Sequence, residues 1–434
     1  PMNTNPRSEK SPNRRTFMAQ LGGLLGSAAV GAELNAQTAS NPFTVPVPIS
    51  TNRPIYNSDV GSMWPLIQNQ AKRAYFPYSF TRDNYTDLKT WKHVTRNRLV
   101  DLLHHTPVQW PPKPTKLKET DAGDFMIEEI IFSTTKDTRV PAYVLVPKSA
   151  AKRGTPAVIL MHDHGGFYMW GKEKLVKLSD EHTILTEYRQ RYYEGQSLGA
   201  DLARQGYLVV VIDMLYWGNR RYMMDGDPDA WWDRPDDLAP DQVNSFNIRA
   251  STYEHLLDRT LLAAGTTWAG IAAWDDIRTV DYLWSRPEVD RSRIGCVGFS
   301  TGGMRALMLS ALDDRIKATV NACWMTSMPY QLQNNIKFTM GYSILIPGMS
   351  RYMDFSDLAA LSMPGALMVL GGGKDSFFNQ EGVNAAYKQI NQSFSKGGFD
   401  DRLYIQEYDT GHIFNRQMQE TAWSFLKKHL MDLT

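Results

Sequence analysis

Ile294-Gly295-Cys296-Val297-Gly298-Phe299-Ser300-Thr301-Gly302-Gly303 is an apolar run that ends in a G-x-S-x-G pentapeptide. A buried strand that turns at once into a helix forces the residue at the bend into a strained backbone geometry. The positions two before and two after it then have no room for side chains. Gly298 and Gly302 meet that demand, which puts Ser300 at the bend. Its hydroxyl would stand proud of a sheet at the positive end of the following helix, where developing negative charge is favoured. The pattern suits an activated serine nucleophile better than a glycine-rich turn carrying an idle serine.

Outward from this stretch, Ala157–Met161, Tyr207–Ile212, Ala318–Cys323 and Ala366–Leu370 are continuous apolar runs. Runs with no polar face are what parallel strands covered on both sides look like. Between them Trp274, Ile277, Val280 and Trp284 recur at helical spacing, and Met304 to Leu312 reads as helix. Strand alternating with helix predicts an α/β, doubly wound, mostly parallel sheet. Ahead of it, Phe125–Phe132 and Val140–Val146 flank Thr135-Lys136-Asp137-Thr138, which predicts an antiparallel hairpin. Leu403–Tyr408 alternates as an edge strand would, and Glu420–Met431 closes the chain as a helix. The polar, proline-punctuated stretch before the hairpin carries helical patterning from Tyr85 to Leu103 and reads as an N-terminal helical extension.

The chain has 434 residues with 47 Lys plus Arg against 46 Asp plus Glu, a net charge of +1 with both signs interspersed. A nucleic-acid binder would carry a basic face, so no nucleic-acid partner is expected. Two cysteines, Cys296 and Cys323, exclude a disulfide scaffold and four-cysteine zinc sites; both are expected as buried free thiols, with a bridge between them as the alternative in an oxidising compartment. Near the start, Arg14-Arg15 precedes Phe17 and a weakly apolar Ala19–Ala32 segment, with small residues at Ala36 and Ala39 suited to cleavage. That is the pattern of a twin-arginine export signal, and it implies a periplasmic or secreted protein. The segment is too short to span a bilayer, and no later segment is apolar enough to do so.

A serine nucleophile needs a base, an acid to orient the base, and donors for an oxyanion. On a strand–turn–helix elbow these follow in the order serine, acid, histidine. Only His412 and His429 come after Ser300; His429 reads as a surface residue of the last helix, so His412 is the base. Asp375, beyond the run Ala366–Leu370, is the expected acid, with Asp354, Asp357 and Asp409 as rivals and Asp213 as a structural or substrate-facing carboxylate. Oxyanion donors are expected from Thr301 and from the His162-Asp163-His164-Gly165-Gly166-Phe167 loop, at His164 or Gly165. A metal reading of His162 and His164 would need further ligands. His182, His255 and His429 lie in helical or irregular polar stretches, so neither metal nor cofactor is expected.

The elbow, Asp375 and His412 resemble the α/β-hydrolase superfamily. His162–Tyr168 followed by Gly171-Lys172-Glu173-Lys174, Trp274–Arg278, Arg286–Gly295 and Ile346–Tyr352 resemble its acetyl xylan esterase-like and dienelactone hydrolase-like group. The resemblance implies a serine esterase acting through an acyl-enzyme on a small-molecule or oligosaccharide ester, acetylated carbohydrate or aryl. The expected layout is a leader at 1–39, the extension at 40–120, and a hydrolase domain at 121–434 with a candidate cap insertion at 217–250. Tyr168, Trp170, Trp217, Trp324 and Phe377 follow strand ends, where ligands of open α/β sheets bind, and are the expected substrate-binding residues. Two other readings share the elbow. A prolyl oligopeptidase-like peptidase would carry long upstream blades. A non-catalytic relative with this fold would lack one of the three site residues.

Overall fold

The computed structural model describes residues 54–73, 75–150, 154–179 and 181–432, so the leader read at 1–39 lies outside the described residues. One sheet is built from β1 (Thr115–Asp121), β2 (Phe125–Ser133), β3 (Arg139–Pro147), β4 (Thr155–Met161), β5 (Leu208–Ile212), β6 (Val289–Phe299), β7 (Ile316–Ala322), β8 (Ala366–Gly372) and β9 (Leu403–Tyr408). Its order is β1-β2-β3-β5-β4-β6-β7-β8-β9. The first three strands form an antiparallel meander and β3 runs antiparallel to β5. Every pairing from β5 across to β9 is parallel. This is the α/β-hydrolase fold, with the hairpin and the C-terminal edge strand where the sequence pattern puts them.

The parallel strands are apolar throughout because both faces are covered. On β4, Ala157, Ile159 and Met161 pack with Val280, Leu283, Ala306 and Leu309, while Val158 and Leu160 pack with Leu426 and Leu430. Alternate residues thus feed opposite layers, and all seven positions of the strand are buried. The helices of those layers include α1 (Leu88–Leu103), α2 (Thr183–Tyr193), α3 (Pro240–Ala263), α4 (Trp268–Ser285), α5 (Thr301–Leu312), α6 (Ile336–Thr339), α7 (Gln380–Gly397) and α8 (Arg416–Leu430). Among the described residues no helix is long and apolar enough to cross a membrane.

The stretch 40–120 is not wholly helical, a correction to its reading as a helical extension. Its last residues form β1, the outer strand of the sheet, paired with β2 and tied by Lys116 Nζ to Glu128 at 2.9 Å. Nearly every side chain of β1 is exposed, so no buried face marks it in the sequence. The helical part is as expected: Asp87 caps α1 by accepting the Thr90 N–H at 2.7 Å. Trp91, fully buried, donates its indole N–H to the Tyr78 carbonyl at 2.7 Å, and Lys92 and Arg96 both reach Asp314 at 2.7 Å. The Arg96 and Lys92 cations hold the Asp314 carboxyl well below the usual carboxylate range.

From β4 the chain crosses to β5 on one side and then to β6 on the other. Such a reversal opens a crevice beyond the carboxyl ends of the strands. The loop after β4 and the turn after β6 stand side by side there.

Candidate active site

Ser300 joins β6 directly to α5 and has φ 55°, ψ −126°, a region that only a surrounding structure can impose on a residue with a side chain. Its N–H donates to the Ala322 carbonyl at 2.8 Å. A Cβ at Gly298 would collide with the Gly302 carbonyl. One at Gly302 would collide with the Met161 carbonyl and stand 3.0 Å from that of His162. The two glycines are therefore required by backbone packed on backbone, and the end of β4 is pressed against the elbow.

The loops after β8 and β9 deliver the other two groups. Asp375 follows β8, with its N–H donated to the Gly372 carbonyl at 3.0 Å. Its Oδ1 accepts the Phe377 N–H at 3.0 Å, leaving Oδ2 to accept the proton on His412 Nδ1 at 2.6 Å. His412 Nε2 then faces Ser300 Oγ at 2.8 Å and accepts its hydroxyl proton. The rings of Phe377 and Phe299 lie 4.6 and 4.9 Å from the imidazole, which with Asp375 is largely shielded from water. Such shielding strengthens the carboxylate–imidazole attraction.

The rival carboxylates do other work. Asp354 and Asp357 form a capping box on the helix Phe355–Ala360, and burial pushes Asp357 up to about 7. Asp409 pairs with exposed Lys374 at 2.8 Å. Asp213 accepts from Lys172 Nζ at 2.8 Å inside the protein, so it is structural.

Thr301 opens α5, and its N–H, like others of a first helical turn, has no intrahelical acceptor. In the loop after β4, Gly166 N–H donates to His164 Nδ1 at 3.1 Å. This leaves Nε2 as the protonated nitrogen, donating to Glu254 of α3 at 2.8 Å. The backbone N–H groups of His164 and Gly165 have no acceptor among the described residues.

Four of the five expected substrate-binding aromatics are buried. Tyr168 and Trp217 are fully enclosed and stacked on each other at 5.1 Å, Trp170 stacks on Phe167 at 5.2 Å, and all three belong to the core. Trp324 is packed edge-on against Phe355 at 4.6 Å, behind Asp375. These rings fill the space between loops and sheet, so none of the four offers a face to a ligand; Phe377 alone lies beside His412. Its outer face stacks on Phe338 of α6 at 5.8 Å and 11°, and Phe338 is 57% exposed. Asn335 Nδ2 donates to the Phe377 carbonyl at 3.0 Å, fastening α6 to the acid loop. Sequence reasoning missed Phe338. The one available signal was the length of the β7–β8 connection, 323–365, far longer than a crossover helix needs. The region read as a cap at 217–250 ends inside a continuous helix, α3, whose Asn247 accepts the N–H groups of Tyr168 and Met169 at 2.8 and 3.2 Å.

His429 is buried against Phe425 at 4.5 Å rather than on the surface, and burial pushes it down to about 4. His182 caps α2 and donates to the Leu238 carbonyl at 2.6 Å. Burial and the nearby Lys174 hold His162 well below the ordinary histidine value. Among the described residues no group of three or more His, Cys, Asp or Glu side chains is placed to hold a metal. Cys296 and Cys323 are free and buried.

Residues 193–346 match the model of the dienelactone hydrolase family, and residues 48–226 match that of an abhydrolase family. The chain is 25% identical over 335 residues to YtaP of Bacillus subtilis (strain 168), a protein named provisionally as a hydrolase, covering 77% of this chain and 98% of that one. A crystal structure from Bacteroides fragilis NCTC 9343, provisionally named an acetyl xylan esterase, superposes with a TM-score of 0.61 at 17% identity. The match covers 81% of this chain and 84% of that one. A glucuronoyl esterase from Solibacter usitatus gives 0.51 at 15% identity, covering 80% and 94%. These likenesses show the α/β-hydrolase fold.

Proposed function

We propose that this α/β-hydrolase is a serine-dependent carboxylic ester hydrolase that works through an acyl-enzyme on acetylated carbohydrate or aryl esters. The observation that carries the reading is the continuous chain Ser300 Oγ–His412 Nε2, 2.8 Å, and His412 Nδ1–Asp375 Oδ2, 2.6 Å, on a strained elbow. His412 takes the hydroxyl proton as Ser300 attacks the ester carbonyl, and Asp375 stabilises the imidazolium that forms. Backbone N–H groups of Thr301 and of the loop after β4 receive the developing oxyanion. The same imidazole returns its proton to the departing alcohol, and water then repeats the sequence on the acyl-enzyme.

Support for a ring-bearing substrate comes from the Phe338–Phe377 stack, an exposed flat face reaching the imidazole. The names of the structural neighbours fall within the same reaction class. Export by the twin-arginine route, read from residues 1–39, belongs to the same proposal, and fractionation of expressing cells checks it. The decisive experiment is turnover of p-nitrophenyl acetate by the wild type and by Ser300→Ala. The variant is expected to lose about 10⁴-fold or more while melting at the same temperature. Retained turnover in the variant would overturn the reading.

A further inference from the structure

Behind the loop after β4 lies a cluster of buried charge that the reaction just described does not use. Lys174 is fully buried, and its ammonium donates to two consecutive carbonyls, Asp163 at 2.8 Å and His164 at 3.0 Å. The Asp163 carboxylate, 3.7 Å from the same ammonium, accepts hydrogen bonds from the hydroxyls of Tyr188 and Tyr193 on α2. The rings of Tyr188 and Phe167 flank the ammonium at 5.2 and 6.0 Å. In a trans peptide the carbonyl and the following N–H point in opposite directions. Drawing the Asp163 and His164 carbonyls toward Lys174 therefore turns the N–H groups of His164 and Gly165 away from it, and those are the two amides left without an acceptor. Their loop leaves β4 with the Met161 and His162 carbonyls against Gly302 of the elbow.

We infer that Lys174 is the positioning residue of the oxyanion site: its ammonium clamps two successive carbonyls so that two successive amides face the reacting ester. The inference rests on the serine-esterase reading and names what builds its anion-binding half. An ammonium deep in the protein usually serves as one partner of an ion pair. Here the carbonyls are closer than the carboxylate, so the cation acts mainly on the backbone. Charge strengthens such bonds roughly twofold over those of a neutral donor, so the clamp weakens when Lys174 loses its proton. Burial pulls Lys174 down to about 8, against the opposing pull of Asp163, Glu173 and Asp213. Five of its neighbours stay put in that range. Tyr188 and Tyr193 are pushed far up by burial, His162 is held far down, Lys172 is raised by Asp213 and Glu173, and Glu173 is drawn to about 2 by Lys172 and Arg234. Burial pushes the Cys296 thiol up to about 12 and Cys323 higher still, so neither thiol titrates there.

The test is kcat for p-nitrophenyl acetate from pH 6.5 to 9.5, corrected for spontaneous hydrolysis, in wild type, Lys174→Met and Ser300→Ala. Wild-type kcat is expected to fall as pH rises past about 8. Lys174→Met is expected to lose about 10²-fold in kcat with KM little changed, and to show no such fall. A Lys174→Met variant that melts cooperatively and keeps kcat within about threefold of wild type overturns the inference, as does an alkaline fall that persists in the variant. If the variant does not fold, a wild-type kcat that stays flat to pH 9.5 overturns it, and the expected fall sustains it. Ser300→Ala separates the two layers: if it is dead while Lys174→Met is normal, only the clamp fails; if it is active, the esterase reading fails.

Discussion

Two loops meet at the crevice, and they are held by different physics. The elbow after β6 is fixed by what is missing: the backbones of Gly298, Gly302 and Met161 pack so closely that no Cβ fits. The loop after β4 is fixed by what is added: Lys174, Glu254, Tyr188 and Tyr193 converge on Asp163 and His164 from α2, α3 and the turn at 172–174. The first constraint is steric, and the two glycines that answer it lie within one five-residue stretch. The second is electrostatic and assembled from residues up to 90 positions apart. Steric exclusion fails abruptly when violated, whereas a hydrogen-bonded clamp with several partners loses function in steps.

The abrupt case is Gly302→Ala. The added methyl would meet the carbonyl of Met161, a backbone atom in the middle of the sheet that cannot swing aside. The elbow or β4 must move. Overpacking of this kind costs about 1–3 kcal/mol or more, and on the proposed mechanism displacing Ser300 by about 1 Å costs on the order of 10² in kcat. Thermal melting and p-nitrophenyl acetate kinetics should both register the change. A variant with wild-type kcat would mean that the glycine is not the constraint the geometry makes it.

The graded case is Glu254→Ala. It removes the acceptor of the His164 Nε2 proton while leaving the Lys174 clamp in place. A hydrogen bond to a charged group is worth about 1.5–3 kcal/mol, but His164 is partly exposed and water can replace some of that. A loss of about tenfold in kcat is expected, ~1.4 kcal/mol. Glu254→Gln, which keeps an acceptor oxygen, should lose less. If Glu254→Ala collapses activity as completely as Gly302→Ala, the loop after β4 is held as rigidly as the elbow and the contrast between them disappears.

The contrast also explains what could be read from the amino acids. The elbow, the buried strands β4 to β8 and the hairpin were legible because their constraints are local: glycine at fixed offsets, apolar residues on both faces, turn residues between alternating runs. Ser300, Asp375 and His412 were legible as candidates because the elbow fixes the chain order in which acid and base must follow. Lys174 and Glu254 were not, since a charged residue in sequence looks the same whether it faces water or clamps a buried carbonyl. Tyr168, Trp170, Trp217 and Trp324 misled for a related reason: an aromatic ring just beyond a strand end fits a ligand and a core equally well, and only the packing of distant helices decides, α2 and α3 for the first three and the helix Phe355–Ala360 for Trp324. β1 escaped because an edge strand with exposed side chains has no apolar face to display.

Phe338 offers the finest distinction, because it belongs to neither loop yet reaches the imidazole through Phe377. Its ring is more than half exposed, so Phe338→Ala should change stability by less than about 0.5 kcal/mol. If the ring is a platform for the substrate, its removal forfeits a stacking contact worth about 0.5–1.5 kcal/mol. KM for a ring-bearing ester should then rise about three- to tenfold with kcat unchanged, whereas methyl acetate, which has no ring to stack, should be turned over as before. If instead kcat falls for both substrates alike, the ring acts by holding Phe377 against His412. The rim of α6 would then join the loop after β4 as a support of the catalytic groups rather than a surface that selects the ester.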